Sequence, residues 1–350
     1  MTADIVFTRE QHLGLVTLNR PQALNALNLQ MIKALQQQLE HWQDDNSIHA
    51  IVVQAEGGKA FCAGGDVRLL YEAGRANNPE QMQFFWHEYR LNHYIHHYSK
   101  PYIALMDGIT MGGGVGISLH GSHPVASERF LFAMPETGIG FFPDIGASYL
   151  LAACPGQTGV YLGLTGNRLK AQDAFAVGLV KKVIASDKLP ALLERLIHTD
   201  LSNNAHQQVD ACLQAFASKH LEETTIEREQ ASIDACFGEN TVEMIFDALQ
   251  RKGDDWALMT LHSLEQKAPL SLKVTLEQIK RAASLSLAEC VQMDYCLVSH
   301  FMHDADFYEG IRALLVDKDK SPHWQPESLA KVSEARVAEY FECGQSERLF

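Results

Sequence analysis

An α/β fold followed by a helical region is what the sequence predicts, on three observations. Strand-like and helix-like segments alternate up to about Asp144, glycine-rich loops follow two of the strands, and from about Ser202 onward almost only helical periodicity remains. The apolar stretch Leu13 to Leu18 is the first strand, stopped by the turn residues Asn19-Arg20-Pro21. An amphipathic helix covers Asn28 to Trp42. A second strand, Ala50 to Ala55, runs into a Gly-rich loop, and the order then repeats with Tyr102 to Asp107 as strand and Gly113 to His120 as helix. Pro124 to Ala126 and Phe130 to Ala133 read as further short strands. After Asp144 the pattern becomes helical, at Ala147 to Ala153, Ala171 to Gly178 and Pro190 to Ile197, then at Ser271 to Ser284 and Ala288 to His300. No internal repeat, low-complexity segment or long linker interrupts the chain. The expected division is therefore a core over residues 1–200 and a helical region over 201–350, set by the change in periodicity alone.

With 46% hydrophobic residues among 350, the chain can bury one large core, or a core and an appendage, and is too mixed in composition for disorder. A formal net charge of −14 argues against a phosphate backbone as partner, so nucleic acid is not expected. The seven cysteines form no C-x-x-C pair and are expected to fill cores in a reducing compartment. The opening MTADIVFTRE carries acids and no apolar run after a basic one, and Asp107 with several glycines interrupts the apolar stretch 102–119. The expectation is a cytoplasmic protein with no membrane span.

Several familiar patterns fail. Gly116-Ile117-Ser118-Leu119-His120 has His where a nucleophile elbow needs its second glycine, and the glycines miss both the dinucleotide and the P-loop spacing. His93 and His97 have an i, i+4 spacing that could hold a metal, but no carboxylate completes the motif, and a solvated or pocket-lining helix face is the better reading. Two glycine loops carry more information: Phe61-Cys62-Ala63-Gly64-Gly65-Asp66 and Met111-Gly112-Gly113-Gly114, each after a strand. They could be mere tight turns. Alternatively, one bare N–H from each converges on a carbonyl oxygen and stabilises the oxyanion that it becomes. Met134-Pro135-Glu136 and Phe142-Pro143-Asp144 add two acids in an apolar, Gly-rich run, where poor solvation raises carboxyl pKa values toward the range useful for proton transfer. Turn-capping is the competing reading for both acids.

Taken together, these pieces resemble the crotonase (enoyl-CoA hydratase/isomerase) superfamily over about residues 5 to 185. Leu18-Asn19-Arg20-Pro21-Gln22-Ala23-Leu24-Asn25-Ala26-Leu27 resembles its first CoA-binding loop, and the two glycine loops resemble its oxyanion loops. The resemblance implies a crotonase-like spiral of ββα units followed by helices that trimerise or cover the site, which leaves a homo-oligomer open. It implies Gly65 and Gly113 as N–H donors, and Gln22, Ala23, Leu24, Ala63 and Asp66 as CoA-binding, with the Ala63 carbonyl accepting from the adenine amino group. Hydratases of the family use two glutamates. The first of those positions is Gly116 here, and the second is Glu136. Asp144, where hydratases usually have glycine, and the segments Lys267 to Thr275, Asp306 to Ala313, Asp317-Lys318-Asp319 and Pro322-His323-Trp324 resemble the branch that hydrolyses 3-hydroxyisobutyryl-CoA, with valine breakdown as the implied pathway.

The expected chemistry is hydrolysis of a short-chain 3-hydroxyacyl-CoA thioester. Glu136 acts on water or attacks the carbonyl itself, and Asp144 positions it, the water or the substrate hydroxyl. Coenzyme A enters as part of the substrate, with no cofactor and no metal. The competing readings are an enoyl-CoA isomerase or hydratase of the same superfamily and a non-catalytic acyl-CoA-binding protein, against which the two acids count.

Overall fold

The computed structural model describes residues 3–218, 223–344 and 348–350. By contacts the chain forms two compact units, each assembled from three stretches: Met1–Asp66, Arg90–Phe132 and Leu169–Thr224 make the first, and Val67–Tyr89, Ala133–Arg168 and Thr225–Phe350 the second. This partition follows packing, whereas a division at residue 200 follows the change of element type.

The strands are β1 (Ile5–Glu10), β2 (Leu13–Leu18), β3 (Ala50–Ala55), β4 (Ala60–Cys62), β5 (Tyr102–Met106), β6 (Ile109–Met111), β7 (His123–Ala126), β8 (Leu131–Ala133), β9 (Leu169–Lys170) and β10 (Lys182–Val183). In the first unit a six-stranded sheet runs in the order β1-β2-β3-β5-β7-β10. Its first pair is an antiparallel hairpin and the others are parallel. Parallel strands are covered on both faces, which is why β3 and β5 read as continuous apolar runs rather than as alternation. Leu13, Val52, Ile103 and Val125 from this sheet pack with Leu192, Leu196 and Leu213 from the helices Leu189–His198 and Ala205–Phe216. A second sheet, ordered β4-β6-β8-β9, pairs Cys62 with Thr110. That parallel pairing brings the loops leaving β4 and β6 together, and these are the two glycine loops. The strands expected from sequence are present; β1, β4, β6, β9 and β10 were not anticipated, four of them being two or three residues long.

The second unit is built on helices. Pro269–Ala282 begins with proline, which supplies helical φ where no N–H is needed, and ten of its side chains are buried. Leu287–Phe301 starts from a reciprocal capping box between Ser286 and Glu289. Phe141, Phe142, Phe301 and Phe307 form an aromatic cluster with ring centroids 4.5–5.6 Å apart. Gly310, in the helix Asp306–Ile311, is needed for close approach: a Cβ there would lie 2.3 Å from the Ile139 carbonyl oxygen. One expectation fails in this unit. Cys296 and Cys343 are joined as a disulfide across 47 residues, so these two cysteines are not simple core filling, while the other five are buried thiols. Their Cα atoms are 5.2 Å apart, inside the span that a bridge requires, a proximity that spacing along the chain does not reveal. Among the described residues, no helix is long and apolar enough to cross a membrane.

Candidate active site

In the first unit the loop Pro21 to Leu27 is held by its own backbone and by Asn25. Leu24 and Asn25 are both left-handed, at φ 52° and 56°. The buried Asn25 amide donates to the Glu56 and Ala60 carbonyls, each at 2.9 Å, and its Oδ1 accepts from the Arg20 N–H. This fixes Gln22, Ala23 and Leu24 against the first glycine loop: Ala63 N–H donates to Leu24 O at 3.0 Å, Leu27 N–H to Gly64 O at 2.8 Å and Asp66 N–H to Leu27 O at 2.8 Å. The Asp66 carboxylate pairs with Arg20 at 2.8 Å. The residues read as a CoA-binding set are thus assembled in one place, with Asp66 facing a protein cation.

The glycines have separate reasons. Gly112, at φ 45°, turns β6 into the helix Gly113–Leu119 through a conformation that glycine adopts without strain. Gly114 lets that helix lie on β4, since a Cβ there would stand 2.2 Å from the Cys62 carbonyl oxygen. The two loops adjoin, a Cβ on Gly64 being 3.7 Å from the Gly113 nitrogen. Among the described residues neither the Gly65 nor the Gly113 N–H donates to a protein acceptor, although Ala63 and Asp66 beside Gly65 do. One unspent backbone donor in a loop and one at the start of the helix Gly113–Leu119, on adjoining loops, are the kind of donors that can stabilise charge developing on a carbonyl oxygen.

The acids lie in the second unit. Glu136 opens the 3₁₀ turn Glu136–Ile139, is 6% exposed, and its Oε2 has no hydrogen-bond partner among the described residues. Burial raises its pKa well above the usual carboxyl range, and Asp144 raises it further; Lys267 acts in the opposite sense. Lys267 is placed by the backbone, because the adjoining Ala268 N–H donates to Thr137 O at 3.1 Å, and burial lowers its own pKa. Asp144 is buried and accepts from the Tyr89 hydroxyl at 2.8 Å. Desolvation pushes its pKa up to about 7, against the lowering effect of that hydrogen bond. Glu88 is a third buried carboxyl in the cluster, with Oε1 unpartnered and a pKa raised by burial, then by Asp144 and Glu136.

The Asp144 segment carries strain. Ile145, a β-branched residue, is left-handed at φ 59°, followed by Gly146 at 71°. Such a conformation costs about 1–3 kcal/mol and persists only where its surroundings over-determine it. They do so through Asp294, whose buried carboxylate accepts from Gly146 N–H and from Gln278 Nε2, both at 2.7 Å; Gln278 also donates to Pro143 O at 2.9 Å. Glu136 and Asp144 were read from the sequence. Glu88, Tyr89 and Asp294 were not, and the signal that would have found them is a lone acid inside an apolar helical run, as in Phe84-Phe85-Trp86-His87-Glu88-Tyr89 and Cys290 to Cys296. The His93 and His97 rings are tilted against each other with centroids 4.2 Å apart, the His97 ring lies on the His93 carbonyl, and among the described residues no three His, Cys, Asp or Glu groups could hold a metal ion. Asp317 and Asp319 are tied to Arg312 at 2.7 and 2.6 Å, so the charged loop between them is organised by one guanidinium.

A family model described as enoyl-CoA hydratase/isomerase matches residues 13–341. The chain is 43% identical over 343 residues to a Danio rerio protein named 3-hydroxyisobutyryl-CoA hydrolase, mitochondrial, covering 97% of this chain and 89% of that one. The Homo sapiens protein of the same name is 41% identical over 346 residues, covering 97% and 88%. A solved structure described as a carnitinyl-CoA dehydratase from Mycobacterium thermoresistibile superimposes with a TM-score of 0.91 at 36% identity, covering 98% of both chains. The relatives named mitochondrial overturn the expectation of a cytoplasmic protein. That expectation rested on residues 1–10, on the cysteine pattern and on the interrupted apolar stretch 102–119, and compartment is an address read by receptors rather than a property of the packed fold.

Proposed function

The chain belongs to the enoyl-CoA hydratase/isomerase family, and on that premise we propose that it hydrolyses the thioester of 3-hydroxyisobutyryl-CoA to the free acid and coenzyme A. The observation that carries this reading is the asymmetry of the acid machinery. Glu136 is buried with an unpartnered oxygen, while Gly116, where two-glutamate hydratases of the family carry their other acid, offers no side chain at all. One activated carboxyl suits addition of water to a carbonyl better than concerted addition across a carbon–carbon double bond, which needs a base and an acid together.

In this reading Gly65 and Gly113 N–H polarise the thioester carbonyl, each such donor lowering the barrier by about 2.7–4 kcal/mol. Glu136 then removes a proton from the attacking water, or itself attacks to give an anhydride that water opens. Asp144, held at about 7, is suited to keep or give a proton near neutrality, for the substrate hydroxyl or the departing thiolate. Gln22, Ala23, Leu24 and Ala63 serve the CoA moiety, and no cofactor enters the reaction. A second reading, a lyase acting on the acyl chain, is favoured by the likeness to a protein described as a dehydratase.

Purified protein given 3-hydroxyisobutyryl-CoA and crotonyl-CoA separates the two. Release of free thiol from the first, with the enoyl absorbance of the second unchanged, is expected. Loss of enoyl absorbance without thiol release would overturn the hydrolase reading.

A further inference from the structure

Asn92 is an expensive residue that neither the fold nor the mechanism above uses. It lies in the helix Glu80–His96, is 0% exposed, and both its Oδ1 and its Nδ2 lack a partner among the described residues. An amide buried with neither hydrogen bond made is destabilising, and an apolar side chain of the same size would avoid the loss. The amide is turned toward Gly116: a Cβ on that glycine would stand 2.7 Å from Oδ1, 2.8 Å from Nδ2 and 2.9 Å from Cγ. Any side chain at 116 would therefore displace it. Gly116 in turn is three residues past Gly113 in the same helix, about one turn or roughly 5 Å away.

A donor and an acceptor side by side, both unmet, against a glycine about one helical turn past the residue whose N–H is assigned to the thioester carbonyl, call for a group that can both accept and donate. A hydroxyl does this with one atom. Saturated alkyl and enoyl chains do neither. We propose that Asn92 binds the hydroxyl on the third carbon of the acyl chain, Nδ2–H donating to its oxygen and Oδ1 accepting its proton, and so selects 3-hydroxyacyl thioesters. The proposal rests on the acyl-CoA reading above and supplies its substrate selectivity.

The test measures binding rather than turnover, so that it is independent of hydrolysis. The probes are carba analogues of 3-hydroxyisobutyryl-CoA and isobutyryl-CoA, in which a methylene replaces the thioester sulfur, titrated by calorimetry into wild type, Asn92→Leu and Asn92→Ala. Wild type is expected to prefer the hydroxylated analogue by about tenfold or more. Both variants are expected to bring the ratio to within about twofold by weakening only the hydroxylated ligand, and Asn92→Leu is expected to melt at or above the wild-type temperature. A wild type without preference, a folded variant that keeps the preference, or equal weakening of both ligands would overturn the assignment; the last result would mean packing, and a bound water on the amide would give the first. A protein that shows the Asn92-dependent preference yet releases no thiol from the true thioester would sink the hydrolase reading and leave this one standing. Thiol release without the preference would do the reverse.

Discussion

In the loops around Gly65 and Gly113 the groups proposed to meet a substrate belong to the backbone, whereas around Glu136 and Asp144 the groups proposed to react are side chains taken out of water. The two regions meet different costs. The glycine loops give up side chains so that strands and a helix can approach to distances that a Cβ would forbid, as at Gly114. Their dipoles are fixed, carry no proton and do not change with pH. The acid cluster has ordinary side-chain packing but places four carboxyls, those of Glu88, Glu136, Asp144 and Asp294, where their charged forms are poorly solvated, so its state depends on pH. Preorganisation is geometric in one region and electrostatic in the other.

The sharpest test of the electrostatic half is Glu136→Gln, which keeps shape and removes the base or nucleophile. Thiol release should fall by about 10³-fold or more, with affinity for coenzyme A within a few fold. Near-normal turnover by the folded variant would remove Glu136 from the mechanism. For the geometric half, Gly113→Pro deletes the N–H and should cost about 10²–10³ in kcat with a cooperative melt retained. Gly113→Ala, which keeps the donor, is the steric control; an equal loss there would show crowding instead of lost hydrogen bonding.

The smallest effect is on stability. Burial lifts the Asp144 pKa from 3.8 to about 7, so between those values the folded protein holds a proton that the unfolded chain has released. Its contribution is fully present below about pH 4 and is lost as pH rises through about 7, so the slope of stability against pH is negative in that window. Asp144→Asn cannot ionise and should flatten the slope, gaining on wild type in melting temperature at pH 8 relative to pH 4.5. An unchanged slope would assign the effect to Glu88, Glu136 or Asp294, whose pKa values are raised for the same reason.

The contrast also explains what the sequence made legible. Glycine loops are local: three glycines after a strand state their backbone requirement within six residues, although the short strands β4 and β6 whose pairing joins the two loops were not anticipated. The Pro-Glu and Pro-Asp were legible because each acid stands in an apolar run. Glu88 and Asp294 also stand in apolar runs, but what makes them and Tyr89 matter is contact with distant residues, 55 positions apart for Tyr89 and Asp144 and 148 for Gly146 and Asp294, which no periodicity encodes. The Cys296–Cys343 bridge was missed for the same reason, and compartment was misread from a short stretch of chain.

The grip of Asp294 on Gly146, across 148 residues, bears on how this protein can be cut. A strained turn that sets a reactive acid is braced by two late helices through Gln278 and Asp294, so the last third of the chain is not a removable module. Shortening it would free the Pro143 to Gly146 turn to relax while leaving the glycine loops intact.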